Sequence, residues 1–331
     1  MALRTFALLV ALHCAGVLAT VFSPTRFSVT SWDNPAGPAV RIYGAASNRV
    51  GIQEWEGDGN PNNDPNIYKT WHSSPVLTSV VTATNSDFAA VNDNGQKIVV
   101  FYERDNGNGT TNLASAQWVY PAWTVGDFSV PSGSFKPGTR LAATMWASGR
   151  MSVVYQDASG LVYEKVNNGN GWGAPSFFAF ADQTTDFTMF GYVNNSTGIE
   201  KTFVYMQSQG QTYEYTWQSD LDAWEVSPVP DFTTGGSLGV TSFNNFSSSR
   251  IYYINNGIGE FTGNPGAWQK LANLANPHNV GTASDIATTT MYLDGKWWTY
   301  VLYSATDGTL WQETFAWIGS AGWTAPNQIV V

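Results

Sequence analysis

The sequence predicts an all-β fold, a six-bladed β-propeller built from four-stranded antiparallel blades. Three observations predict it. A tryptophan closes a repeating unit six times, at Trp71, Trp123, Trp172, Trp224, Trp268 and Trp323, with intervals of 52, 49, 52, 44 and 55 residues. A period near 50 made of short β-like runs is the pattern of one blade per unit. No helical periodicity stands out beyond the N-terminal apolar segment, so nothing competes with an all-β reading.

Residues 1–19 read as a secretory signal, leaving 20–331 as one propeller domain and an extracellular location. Arg4 gives a weakly positive start, Phe6 to Leu12 is apolar, and Val17-Leu18-Ala19 offers small residues for cleavage. A buried N-terminal helix or an uncleaved anchor is the alternative, although the run is short for a bilayer. The one cysteine, Cys14, lies inside this segment. The mature chain is therefore expected to have no disulfide and to rely on its core. Residues 20–331 number 312, or 52 per blade, enough to bury a large core.

Each unit runs through the same steps. An inner strand opens with a bulky residue and then small ones that suit crowding near an axis: Phe88-Ala-Ala, Leu141-Ala-Ala, Phe187-Thr, Leu238-Gly and Ile286-Ala. The second strand is β-branched and aromatic: Val40-Arg-Ile-Tyr, Ile98-Val-Val-Phe-Tyr, Ser152-Val-Val-Tyr, Thr202-Phe-Val-Tyr, Arg250-Ile-Tyr-Tyr and Thr299-Tyr-Val-Leu-Tyr. A turn follows, as at Asp157-Ala-Ser-Gly160 and Asn255-Asn-Gly257, where these residues supply positive φ or local side-chain bonds. The third strand ends near an acid or amide: Glu54, Glu164, Glu214, Glu260 or Gln312. Blade two has a longer Asn106–Thr111 loop and no acid at that place. The closing tryptophan comes on or before the outer strand and reads as an anchor between blades.

The chain carries a formal charge of −10, or −11 without Arg4, and is poor in lysine. Such a surface offers no basic patch to nucleic acid or an anionic membrane, and points to a neutral or weakly polar ligand. Sequons begin at Asn108, Asn194, Asn195 and Asn245, as expected of a secreted glycoprotein. The Asp58–Pro65 insertion is rich in oxygen ligands but lacks the alternation of a calcium loop. His72 and His278 are the only histidines past the signal, with no cysteine beside them for zinc; a Ser-His-Asp set would need one of the two, and both read as surface or turn residues, so no metal or cofactor is expected.

The chemistry lies in Arg, Glu and aromatic residues within one blade. Blade one has Arg41, Glu54 and Trp71; blade five has Arg250, Glu260 and Trp268. An Arg and a Glu on adjacent strands offer a fork of donors and a pair of acceptors, which suits vicinal sugar hydroxyls. A plain cross-strand salt bridge is the competing reading.

The unit Leu141-Ala-Ala-Thr-Met-Trp146, Ser152-Val-Val-Tyr-Gln-Asp-Ala-Ser-Gly-Leu-Val-Tyr-Glu164, Gly171-Trp172 resembles the repeat of the fungal fucose-specific lectins of the Aleuria aurantia type. The resemblance runs through nearly the whole mature chain. It implies six blades and L-fucose bound in clefts between them, with Arg and Glu holding hydroxyls and Trp or Tyr touching the methyl and ring. Arg41 and Arg250 match the sugar-binding Arg. Glu54, Glu164, Glu214 and Glu260 match the Glu, with Gln312 in its place in blade six. The Arg position falls on Val99, Ser152, Thr202 and about Tyr300 in the other blades, so only blades one and five keep both partners. By the same resemblance the stacking aromatic comes from the next blade's inner strand, with Trp32, Trp146, Tyr192 and Tyr292 as candidates. Glu164 or Glu214, if buried without its Arg, holds an uncompensated charge, which is costly.

The expectation is therefore a secreted lectin with one or two competent fucose-type clefts and fucosylated glycans as partners, with no nucleic-acid binding and no membrane insertion. A homodimer is compatible with it. A propeller glycosidase is the rival, and needs two carboxyl groups flanking one bond. No set of acids is expected to face a common axial pocket; Asp87, Asp186 and Asp285 come closest and read as blade-start turn caps. Ser304–Trp311 resembles the Asp-box of sialidases with its Asp one place late. A degenerate lectin serving in protein interaction is the third reading.

Overall fold

The computed structural model describes residues 26–32, 39–46, 48–58, 70–93, 95–183, 185–194, 196–229, 236–243, 248–255, 257–264, 266–271, 273–274, 277–281, 284–293, 296–316 and 323–329. The signal segment, Asn195, Asn245 and most of the Asp58–Pro65 insertion lie outside the described residues. Among those described, 24 strands form six four-stranded antiparallel sheets, each made of strands consecutive in sequence. The inner strands are β1 (Phe27–Trp32), β5 (Phe88–Asn92), β9 (Ala142–Met145), β13 (Thr188–Val193), β17 (Leu238–Phe243) and β21 (Ile286–Leu293). Each contacts the next, and β21 contacts β1, so the sheets close into a ring. The six-bladed propeller is as expected; the first blade's inner strand, for which no sequence run is singled out, is Phe27–Trp32.

The second strands are β2 (Ala39–Ala45), β6 (Lys97–Asp105), β10 (Met151–Gln156), β14 (Glu200–Ser208), β18 (Ser248–Ile254) and β22 (Lys296–Ser304). The third are β3 (Ile52–Asp58), β7 (Thr111–Val119), β11 (Leu161–Asn167), β15 (Gln211–Gln218), β19 (Ile258–Asn264) and β23 (Leu310–Ala316). The outer strands are β4 (Thr70–Pro75), β8 (Ala122–Val130), β12 (Ser176–Phe180), β16 (Ala223–Pro228), β20 (Ala267–Lys270) and β24 (Asn327–Ile329). Second strands are buried almost throughout: Met151–Gln156 is buried at every position. Both faces of each blade meet a neighbour, which is why these strands read as continuous apolar runs rather than alternating ones. The core is correspondingly divided into six layers, one per seam between blades. Between blades one and two, for example, Tyr43, Ile52 and Val76 meet Phe88, Val100 and Tyr102.

The residues just before the inner strands form a polar ring around the axis. Arg140 reaches Asp87 Oδ1 at 3.4 Å and Asp285 Oδ1 at 3.1 Å through Nη1, and Asp186 Oδ1 at 3.4 Å through Nε. The same acids staple successive blades. Backbone N–H groups of Leu141, Leu238 and Phe27 donate to Asp87, Asp186 and Asp285 at 2.7, 2.9 and 3.3 Å. The last of these joins blade six to blade one. Ser237 Oγ adds bonds to Asp186 and Asp285 at 2.5 and 2.6 Å. This corrects the expectation that no acids face a common axial pocket: all three line an axial cavity of about 110 Å³ together with Arg140. Sequence spacing gave their place before each strand but not their convergence, which exists only once the ring closes. Burial pushes Asp87 up to about 7 despite Arg140 and Arg26, with Asp285 and Asp186 adding to the rise.

Another buried acid, Glu313, lies in the seam between blades five and six. Glu313 is fully buried opposite Val301, accepts the Tyr303 hydroxyl at 3.3 Å, and has no hydrogen-bond partner at Oε2. Burial pushes it up to about 7, against the lowering effect of Tyr303. The folded state therefore holds this proton more tightly than the unfolded chain does. Its stabilising effect is complete below about pH 4 and is lost as pH rises through about 7. Melting temperatures measured from pH 5 to pH 8 should fall with rising pH. Glu313→Gln should flatten part of that slope and be the more stable protein at pH 8, by on the order of 2 kcal/mol. Parallel curves for the two proteins would refute this.

Candidate binding clefts

Strand register fixes the geometry of each cleft. In blade one Tyr43 pairs with Glu54, and Arg41 pairs with Glu56. In blade five Tyr252 pairs with Glu260, and Arg250 pairs with Thr262. Arg and Glu are thus diagonal neighbours, with a tyrosine directly opposite the acid. Arg41–Glu54 are 13 residues apart and Arg250–Glu260 only 10. The connection between second and third strands absorbs the difference, residues 46–51 against 255–257.

In the cleft between blades one and two, Arg41 Nη1 lies 3.1 Å from Glu54 and Nη2 lies 2.9 Å from Glu56. Tyr43 donates to Glu54 at 2.7 Å, and the guanidinium lies 5.1 Å from the centre of the Trp32 ring. Trp123 of blade two meets Tyr43 edge-on at 5.8 Å. Between blades five and six, Arg250 pairs with Glu260, Tyr252 donates to it at 3.4 Å, and Trp323 of blade six also donates. Phe315 lies under the guanidinium at 4.7 Å, and Trp323 meets Tyr252 edge-on at 5.7 Å. Burial raises the Glu260 carboxyl while Arg250 lowers it. The two clefts share Arg, Glu, Tyr and a tryptophan from the next blade, at equal register.

The closing tryptophans thus serve the preceding blade. Trp268, matched in sequence to Arg250 and Glu260, donates instead to Glu214 of blade four at 2.9 Å. Trp32 and Trp146 lie on arginines of their own blades, not of the preceding ones. Tyr292 is exposed beside Trp297, 5.0 Å between centres. Trp123 and Trp323 are not legible as cleft residues in the sequence, because their partners lie a whole blade away.

The remaining clefts differ at the Arg level. In blade four Tyr205 pairs with Glu214, so the residue two places back is Phe203. This corrects the assignment of Thr202, whose side chain points to the other face. Phe203 stacks on Phe190 at 4.8 Å, and Glu214 is held by Tyr205 at 2.9 Å and by Trp268. Burial raises Glu214, and these donors lower it. In blade two Val99, Phe101 and Ser115 take the three places, with Phe101 meeting Trp172 edge-on at 5.7 Å. In blade six they are Tyr300, Leu302 and Gln312.

Blade three keeps Glu164, bonded by Ser152 at 2.5 Å. Its cation is Arg150, two residues before Ser152 and just ahead of β10. The Arg150 guanidinium lies between Trp146, at 4.7 Å, and Trp217 of blade four, at 4.3 Å, and bonds Glu200 of blade four at 2.7 Å. It clasps two blades together. Blades two and four carry Lys97 and Lys201 at the same step, where blades one and five have Ala39 and Ser248. The cation has moved ~7 Å along the strand in these three blades.

No family model matches the chain. A fucose-specific lectin of Aleuria aurantia is 26% identical over 170 residues, 49% of this chain and 49% of that protein, so the match spans about half the length of the curated relative. The crystal structure of the Aleuria aurantia lectin, described as a six-bladed β-propeller, aligns over 94% of this chain and 97% of that one. Its TM-score is 0.70 and its identity 20%. The chain resembles the fungal fucose lectins. SapL1 lectin, solved with α-methyl fucoside, gives the same TM-score of 0.70 at 19% identity, over 95% and 98% of the two chains. At these identities the fungal fucose lectins establish the propeller fold. The resemblance read from the repeat is borne out by the curated relative.

Proposed function

We propose that this protein is a carbohydrate-binding lectin that takes L-fucose or fucosylated glycans in two of its six clefts, those between blades one and two and between blades five and six. The observation that carries the reading is the recurrence of one constellation at equal register: Arg41, Tyr43, Glu54 and Trp123 in one cleft, Arg250, Tyr252, Glu260 and Trp323 in the other. A guanidinium donates where a carboxylate accepts, and a sugar hydroxyl does both. The indole presents an apolar face for a methyl or a ring C–H surface. The lectins similar to this chain are fucose-specific or were solved with a fucoside, which supports fucose over other sugars.

The acids are disposed for structure rather than catalysis. Asp87, Asp186 and Asp285 each accept a backbone N–H from the next blade and share Arg140, which supports a structural role for them. The N-terminal segment and the exposed Asn108 sequon support a secreted glycoprotein acting on glycans outside the cell. Two live clefts on one chain would raise avidity for multivalent glycans through effective concentration. Calorimetric titration with α-methyl fucoside should give a stoichiometry of two per chain. Saturable binding of other sugars with none of fucose would overturn the specificity.

A further inference from the structure

A cavity of about 500 Å³ lies in the seam between blades two and three, outside the Arg–Glu clefts. That volume falls within the range of small-ligand sites. Among the described strands, register breaks occur only in these two blades: between Ala114 and Ala116 where β7 meets β8, and between Val162 and Tyr163 where β11 meets β12. A bulge bends its strand and raises local twist, so the bulges on both sides account for the gap here. Tyr163 is half-buried in the cavity wall and stacks on the buried Tyr155 at 5.9 Å and 21°. Lys165 lines the same wall.

The ammonium group of Lys165 donates to the Ser129 carbonyl at 3.0 Å and lies 5.5 Å from the Phe128 ring. It has no carboxylate partner among the described residues, in a chain with ten more acids than bases. Burial lowers its proton affinity, as expected for a cation short of counter-charge. Asp127, on the outer strand of blade two beside Phe128, accepts the Trp172 indole N–H at 3.0 Å. Asp157 lines the far end, four positions before Leu161. Its Oδ1 is taken by Ser159 and Leu161. From Leu161 to Lys165 the strand runs ~13 Å, the length of a disaccharide.

We propose that this cavity binds an acidic saccharide: a carboxylate on Lys165, a pyranose face on Tyr163, and hydroxyls donating towards Asp157. The site shares no residue with the fucose clefts and does not depend on them. The probe is digalacturonate, compared with lactose as a neutral disaccharide and benzoate as a carboxylate without a sugar ring. Digalacturonate should bind one per chain, weaken with salt, and exceed lactose and benzoate by tenfold or more. Lys165→Met keeps the stem over Phe128 and should lose at least tenfold in affinity; Lys165→Arg should retain most of it. Fucoside binding and the far-ultraviolet circular dichroism of both variants should match the wild type. Equal binding of lactose or benzoate, unchanged affinity in Lys165→Met, or no saturable binding of digalacturonate would each overturn the proposal.

Discussion

Arg140→Met is expected to destabilise the protein by about 3–5 kcal/mol, the cost of leaving buried charge without its partner. One guanidinium contacts three converging carboxyl groups through two of its nitrogens. Without it, Asp87, Asp186 and Asp285 face one another around the axis, and like charges at short range drive proton uptake. The variant should therefore be worse at pH 8 than at pH 5, because protonation relieves the repulsion. Arg140→Lys should recover part of the loss only: an ammonium group is a point charge and cannot match a planar fork with donors in three directions. Urea denaturation at the two pH values measures both effects. A midpoint for Arg140→Met within error of wild type at pH 8 would show that the backbone N–H staples suffice. The ring matters because, among the described residues, each sheet is made from consecutive strands and none is exchanged between the first and last blades. Asp285 bonded to Phe27, and Ser31 bonded to Thr289 at 2.6 Å, join those two blades instead.

What the sequence shows clearly is what repeats along it. The tryptophan period and the β-branched second strands identify the propeller, because every blade meets the same burial on both faces. Arg41, Glu54, Arg250 and Glu260 are legible for the same reason, despite unequal spacing. Register is less legible. Thr202 and Phe203 both sit in one β run, and a one-residue slip moves a side chain to the other face; only the pairing of Tyr205 with Glu214 decides between them. Contacts between blades are hidden altogether. Trp268 stands near Glu260 in sequence and bonds Glu214 in space, 54 residues away. Lys97, Arg150 and Lys201 share one signal in the sequence, a place two residues before the arginine position, which the period of two along a strand puts at the same register step.

Arg41→Ala and Arg250→Ala should each remove one fucoside site from the titration, and the double variant should bind none. A hydrogen bond to a charged group contributes about 1.5–3 kcal/mol, so each single change should weaken its own cleft by roughly tenfold to a hundredfold. The loss should be larger than the sugar contact alone requires, since Glu54 or Glu260 is left buried without its cation. Arg150→Ala provides the contrast. Arg150 also stacks on tryptophan and pairs with a glutamate, yet that glutamate belongs to the neighbouring blade and Trp217 covers the second face. Its removal should lower the melting temperature and leave fucoside stoichiometry at two. The opposite result, fewer sites in Arg150→Ala with Arg250→Ala unaffected, would mean that the moved cation took the binding role with it. Position along the strand, rather than the presence of an arginine near a glutamate, would then be the wrong criterion for a live cleft.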